Sequence, residues 1–164
     1  MFTASTTRVT RTRPGYGIRI EGRGTMRESP TVHAFAVHVL DSEPGTLAIV
    51  LGACEYLDST FLGCLVDLHK RFGSTEPPRF LVGAGPETRK RLLAPNCLDS
   101  LFHYIEDDPE AVGESLVLPT VTLAREDLGR HVLECHRRLV ELGGPNQAAL
   151  RGVVDQLERE LVTR

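Results

Sequence analysis

The stretch Leu57-Asp58-Ser59-Thr60-Phe61-Leu62-Gly63 marks the boundary between a predicted strand and a predicted helix. The apolar run 47–51 precedes it and has the character of a buried strand, and apolar residues recur at helical spacing after Ser59. The first turn of a helix carries unpaired backbone N–H groups and the positive end of the helix dipole, and both favour anionic oxygens. The Ser59 hydroxyl is therefore either an N-cap of the helix or an acceptor of phosphate.

Strands and helices alternate on both sides of this boundary. The segment 16–23 alternates apolar and polar side chains, and together with 8–12 it predicts an antiparallel hairpin with a turn at Pro14-Gly15. Ser29-Pro30 is typical of an N-cap followed by a proline in the first helical turn. The pattern predicts an α/β fold with a mixed sheet of about five strands and helices packed on it. The remaining predicted elements are a helix near 30–41, strands at 47–51, 79–83 and 101–105, helices after Ser59 and at 86–94, and a short helix from Asp108-Pro109-Glu110.

The same residues resemble the Asp-Ser-(Ser/Thr)-Gly-Leu-Gly segment of STAS domains, the family that includes the anti-sigma factor antagonists. Asp58-Ser59-Thr60 and Gly63 match this segment, whereas Phe61 stands where the family usually has a glycine. The stretch 98–102 is similar to the family's entry to its last strand. The resemblance covers residues 8–115 and implies a STAS-like mixed sheet.

The resemblance also implies a function. It indicates a non-enzymatic signal-transduction module of a bacterial, cytoplasmic partner-switching system, with no cofactor. Ser59 would accept phosphate from a partner kinase, and phosphorylation would lower the affinity for the partner. That partner would be an anti-sigma factor, a serine kinase-like protein or a related regulator. The residues expected to contact it are Asp58, Thr60, Phe61, Leu62 and Gly63.

Three alternatives remain at this point. Ser59 is an unmodified N-cap in a STAS scaffold or transport-accessory module, and Ser→Ala then costs about 1 kcal/mol. Phe61 is either a core residue or an exposed contact for a partner. A small phosphotransfer receiver is a further alternative, but the acidic pair after the first strand and the lysine after the last are both missing. No catalytic constellation is evident in the sequence, so we expect no enzyme activity.

Beyond the region of resemblance, residues 116–124 form an apolar extended connector and residues 125–164 predict a helical hairpin. Gly143-Gly144-Pro145-Asn146 marks the stop and restart between its two helices. The hairpin is either a second interface, for self-association or docking, or a pair of helices packed back on the sheet. The predicted apolar stripes are Leu128, Val132, Cys135, Leu139 and Leu142 in the first helix and Leu150, Val153, Leu157 and Leu161 in the second.

Composition narrows the class of protein. The chain has 164 residues and a net charge of -3, with 41% hydrophobic and 25% charged residues, as in a soluble globular protein. No apolar run reaches the roughly 18 residues of a membrane span. We expect residues 1–7 to be disordered, without the apolar region of a secretory signal. The four cysteines, Cys54, Cys64, Cys97 and Cys135, have no short spacing and are expected to be reduced.

Charge is distributed unevenly along the chain. Arginines crowd the first 27 residues, and an acidic cluster follows the last predicted strand at 106–114. The basic segment could bind an acidic partner, but it also suits a charged edge strand that resists aggregation. It lacks interleaved aromatic residues, so we expect no nucleic-acid binding. His131 and Cys135 are one helical turn apart, but no third ligand accompanies them, and we expect no metal site.

Overall fold

Residues 4–162, the part of the chain that the computed structural model describes, form seven strands and five α-helices. The strands are β1 (Thr6–Arg11), β2 (Gly15–Gly24), β3 (Thr46–Val50), β4 (Cys54–Leu57), β5 (Phe80–Gly83), β6 (Tyr104–Ile105) and β7 (Leu116–Val117). The helices are α1 (Ser29–Ser42), α2 (Ser59–Leu68), α3 (Pro86–Leu92), α4 (Arg125–Glu141) and α5 (Gly144–Val162). A π-helical turn (His69–Gly73) extends α2, and a 3-10 turn (Ala94–Asn96) follows α3.

The strands form one mixed sheet in the order β6-β5-β3-β2-β1-β7, with β4 paired to the far end of β2. The predicted hairpin is confirmed, because β1 and β2 pair antiparallel from Thr6–Glu21 to Arg11–Tyr16. The other pairs of the centre are parallel: β2 with β3, β3 with β5, and β5 with β6. The predicted central position of the apolar run is also confirmed, since the side chains of Leu47 to Val50 are all buried.

The structure departs from the sequence prediction at three places. The sheet has seven strands rather than about five, because the four residues of β4 and the two of β7 are too short to show a period. Residues 6 and 7 belong to β1 through pairing with Glu21 and Ile20, and the first three residues of the predicted disordered segment lie outside the described residues. The predicted helix at Asp108-Pro109-Glu110 does not form. Instead the segment runs beside β1, where the Val112 N–H donates to Arg11 O.

Helix α2 is the central helix of the protein. It begins directly after β4, and every one of its residues from Thr60 to Leu68 is buried. Phe61 is wholly inaccessible to solvent and belongs to the main core, which settles its role as a core residue. The same core contains Ile18 and Ile20 of β2 and Val32 of α1. The start of α2 is therefore held in place by packing on the sheet and on α1.

The C-terminal helices form the predicted hairpin and fold back onto the rest of the protein. Helix α4 packs on α2, and its Cys135 and Leu139 belong to the main core. Helix α5 packs on the other side of α4, where Leu133, Val140 and Val154 form a second, smaller apolar cluster. Several of the buried apolar residues of the hairpin are therefore one position away from the predicted stripes. Val154 is buried, for example, and the predicted Val153 is exposed. The hairpin is not an independent appendage.

Two ion pairs join the basic and acidic segments. Arg13 Nε lies 3.5 Å from Glu110 Oε2, and Arg19 Nη1 lies 3.1 Å from Asp108 Oδ2. All four cysteines are free, with Cys97 exposed and the other three buried. Among residues 4–162 no helix combines the length and the apolar character that a crossing of the bilayer requires.

Candidate functional site

Asp58 caps helix α2 and ties it to the loop before α1. Its backbone is extended, its Oδ1 accepts from the Phe61 N–H at 2.8 Å, and its Oδ2 accepts from the Met26 N–H at 2.8 Å. The Asp58 N–H in turn donates to Gly24 O at 3.0 Å. The carboxylate is thus the N-cap that the sequence allowed for the neighbouring serine. Its oxygens are engaged within the protein and fix the loop geometry at this end of the sheet.

Ser59 is the first residue of α2, and its hydroxyl is not a cap. Ser59 Oγ lies 2.9 Å from Nε2 of His136, in the middle of α4. The side chain of Ser59 is only partly buried. The structure therefore places the candidate acceptor at a helix N-terminus, as predicted, but it also pairs the hydroxyl with the C-terminal hairpin. His136 is a residue of the site that the sequence did not single out.

The other predicted contact residues lie inside the protein. Thr60, Phe61 and Leu62 are 4%, 0% and 2% exposed, respectively. Gly63 is buried against α4: a Cβ at this position would lie 2.1 Å from Cys135 O and 2.8 Å from Cys135 Cα. The predicted residues thus lie together at the start of α2. Thr60, Phe61 and Leu62 are buried in the protein, however, and Gly63 is covered by α4.

A charge cluster centred on the buried carboxylate of Asp67 lies two turns further along α2. Asp67 accepts a hydrogen bond from Arg138 Nε at 2.7 Å through Oδ1 and lies 2.6 Å from His33 Nε2 through Oδ2. Arg71 Nε forms an ion pair with the same Oδ2 at 3.1 Å. Burial alone would raise the pKa of Asp67, but the hydrogen bonds from His33 and Arg138 and the charges of His33 and Arg71 outweigh it. The pKa of Asp67 therefore lies well below its usual range. A carboxylate held in this way joins α1, α2 and α4.

Two histidines of α4 are held at the same interface. His131 Nε2 lies 2.7 Å from Oγ of Ser29, which is completely buried, and 3.5 Å from Cys135 Sγ. Burial and the nearby His33 lower the pKa of His131 from 6.5 to about 4, against the opposing charge of Asp67. Burial also lowers the pKa of His136, against the charge of Asp58. Both imidazoles are therefore neutral at pH 7.

The prediction that Ser29 is the N-cap of its helix was wrong. Glu28 is the N-cap residue of α1 and makes no side-chain cap hydrogen bond, while the Ser29 hydroxyl bonds to His131 instead. His131 and Cys135 do come together, as their spacing suggested. Within the described residues, no group of three or more His, Cys, Asp or Glu side chains is arranged to hold a metal ion.

Comparison with solved structures shows a likeness to an anti-sigma factor antagonist. The crystal structure of an anti-sigma factor antagonist from Mycobacterium paratuberculosis superposes with a TM-score of 0.52 and 27% sequence identity, over 63% of this chain and 87% of that chain. The chain contains a STAS-like domain. No protein-family model matches the chain, and no curated protein is detectably similar to it.

The STAS-like domain and the hairpin meet at the site. Asp58 and Ser59 belong to the segment that carries the sequence resemblance, whereas His131, His136 and Arg138 come from α4, beyond the predicted bounds 8–115 of that resemblance. A single sequence carries no signal that pairs residues more than 70 positions apart. The only hint was compositional, in that α4 carries two histidines and an arginine beside its apolar residues.

Proposed function

We propose that the protein is a non-catalytic regulatory module that binds another protein through the Ser59 end of its STAS-like domain, and that phosphorylation of Ser59 releases this partner. The likeness to an anti-sigma factor antagonist supports the regulatory role. The position of Ser59 as the first residue of α2, capped by Asp58, is the observation that carries the choice of acceptor. An anti-sigma factor or a serine kinase-like protein is the class of partner that this role requires.

Phosphate chemistry suits the place. A phosphoserine at the first position of α2 would meet the unpaired N–H groups and the positive end of the helix dipole. It would also add a charge of about −1.5 to −2 beside Asp58 and Glu55. Because Asp58 is already fixed by two backbone N–H groups, its cap can persist, and the added charge would act on an approaching surface and on the contact of Ser59 with His136.

A second candidate function rests on the hairpin. Because α4 covers Gly63 and His136 bonds the Ser59 hydroxyl, the protein would serve as an unmodified STAS scaffold if this contact never opens. In that case the outward surface of the hairpin would bind partners or a second copy of the chain. The two candidates differ in whether Ser59 is ever modified.

Phosphopeptide mass spectrometry on the protein from its own cells separates them. Phosphate on Ser59 whose occupancy changes between growth and stress supports the switch, and its absence from a well-covered peptide supports the scaffold. A matched pair of variants tests release: Ser59→Asp should lose a co-purifying protein that wild type retains. Ser74→Asp adds the same charge at an exposed loop position and should retain that protein.

A further inference from the structure

Helix α4 lies along one stripe of α2 that consists of Ser59, Gly63 and Asp67 (the α2 stripe). These residues are four apart, so they share one face of the helix. The first contacts His136, the second lies against the backbone of Cys135, and the third pairs with Arg138. The hairpin therefore occupies the face of α2 that begins with the candidate acceptor.

The contact at Gly63 depends on the absence of a side chain. Any Cβ there would overlap backbone atoms of Cys135, the nearest at 2.1 Å, and backbone cannot move aside as a flexible side chain can. Such an overlap inside a close-packed interface forces the two helices apart. Alanine favours helix more than glycine does, so Gly63→Ala would leave α2 itself intact.

The interface beneath α4 is more polar than the core of the STAS-like domain. Ser29, His131, His136 and Asp67 are all located in it, and within residues 4–162 the Nδ1 atom of buried His136 has no hydrogen-bond partner. Polar contacts of this kind are typical of interfaces between units that separate, whereas permanent cores are apolar. An interface that leaves a buried polar atom unpaired gains less from staying closed.

The connection to the hairpin would permit separation. Residues 111–117 are exposed and most of 119–127 are also exposed, so movement of the connector itself would disrupt little side-chain packing. The pair α4 and α5 has its own apolar cluster of Leu133, Val140 and Val154, and Arg137 Nη2 bonds Glu158 Oε1 at 3.0 Å across it. The hairpin could therefore move as one unit.

We propose that the hairpin 125–162 is a built-in cover of the α2 stripe, and that it detaches as a unit to free Ser59 and α2 for another protein. This inference rests on the proposed function, because a cover is meaningful only if that face binds a partner. Opening breaks the contacts of Ser59, Gly63 and Asp67 with α4. It also breaks the Ser29–His131 contact and uncovers the apolar residues on which Cys135 and Leu139 pack, while the sheet and α1 stay folded. The cover thus regulates both access to Ser59 and access to the surface beside it.

The native cysteines report on this opening. Cys135 is located on α4 and is 3% exposed, Cys54 is located on β4 and is 1% exposed, and Cys97 is exposed. Alkylation of the full-length protein with N-ethylmaleimide, followed by peptide mass spectrometry, gives the rate at each position. Cys135 measures detachment of the hairpin, Cys54 measures unfolding of the STAS-like domain, and Cys97 normalises the reagent.

We expect Gly63→Ala to accelerate alkylation of Cys135 by about tenfold or more relative to wild type, because overpacking a buried contact shifts a local opening equilibrium by that order. Cys54 should keep its wild-type rate. Gly152→Ala is the matched control, because a Cβ at Gly152 on α5 meets nothing within 4 Å. It should leave both rates unchanged.

Two results would contradict the proposal that the hairpin is a detachable cover of the α2 stripe. One is an unchanged Cys135 rate in Gly63→Ala, and the other is equal acceleration of Cys135 and Cys54, which means that the hairpin opens only with the whole domain. If Gly63→Ala does not fold, wild type in a urea series decides the matter: Cys135 should become reactive at lower urea than Cys54, and coincident onset would refute the proposal. None of these readouts needs phosphate or a partner, so their failure is distinct from failure of the proposed switch.

Discussion

Ser59 Oγ and His136 Nε2 lie 2.9 Å apart and join the first residue of α2 to a helix 77 positions further along the chain. This contact places the candidate acceptor and the C-terminal hairpin in one structural unit. A substitution or modification of either residue is therefore expected to alter the environment of the other. The contact also makes the hairpin part of any account of how Ser59 is reached.

Replacing His136 with alanine should destabilise the protein by about 1–3 kcal/mol, because a buried ring and its hydrogen bond to Ser59 are lost. Urea unfolding followed by circular dichroism gives the free energy. Arg130→Ala is the control on the same helix. Within residues 4–162 Arg130 pairs with exposed Glu126 and Asp127, so its loss should change the free energy by less than about 0.5 kcal/mol. Equal losses in the two variants would contradict the structural role of His136.

Asp67→Asn should cost about 2–4 kcal/mol, because it removes the buried charge that Arg138, Arg71 and His33 share. The comparison is Asp127→Asn, which weakens an exposed pair with Arg130 and should be nearly neutral. Chemical unfolding at pH 7 measures both. A loss below about 0.5 kcal/mol for Asp67→Asn would mean that α4 does not depend on this carboxylate.

Stability should fall as the pH is lowered from about 6.5 towards 4. Folding lowers the pKa of His131 to about 4, so the unfolded chain binds more protons than the folded protein in this window. The contribution is complete above pH 6.5, where both states are neutral, and it is lost progressively below. We expect a loss of about 1–3 kcal/mol between pH 7 and pH 4.5.

His131→Gln keeps a side chain able to bond Ser29 but does not titrate, so it should flatten this pH dependence. The comparison allows for the groups that face His131, which are His33 on α1 and Asp67 on α2. His136 contributes in the same direction, with Asp58 opposing it. Unfolding free energies at several pH values provide the test, and identical slopes for wild type and His131→Gln would remove His131 from the explanation.

Asp58→Ala should lower stability by about 1–2 kcal/mol, because the Phe61 N–H at the start of α2 loses its acceptor. The Met26 N–H loses its acceptor as well, so the loop before α1 should exchange its amide hydrogens faster. Thermal unfolding and hydrogen exchange measure the two effects. Asp99→Ala, at an exposed position, is the matched control and should leave both unchanged. An Asp58→Ala protein as stable as this control would show that the cap is dispensable.

The sequence was informative where local pattern decides structure. The alternation in β2, the apolar run of β3 and the helix after Ser59 were each visible within about ten residues. The segment at Asp108-Pro109 was misjudged because the backbone directly after it pairs with Arg11 of β1, about 100 residues earlier. A proline after an acidic residue is typical of a helix start, but tertiary pairing overrode that preference.

The site was predicted in part for the same reason. Asp58 and Ser59 could be placed at a helix start from their neighbours alone. The partners of Ser59 and Asp67 on α4 depend on how the hairpin folds back, and no local pattern contains that information. Gly63 illustrates the limit: the sequence showed a glycine inside a helix, but only the fold shows that the backbone of Cys135 fills the space of the missing side chain.

Through Asp67, the hairpin covers α2 by charge pairing as well as by steric contact. When α4 detaches, Arg138 leaves with it, and of the partners described within residues 4–162 the carboxylate keeps His33 and Arg71. A protein that takes the place of α4 then has to supply a positive charge in the place of Arg138. It also needs a backbone segment that can approach Gly63 as closely as Cys135 does. The uncovered face would therefore select its binding partners by charge. It would bind helices that place a basic residue where Arg138 lies and reject acidic helices.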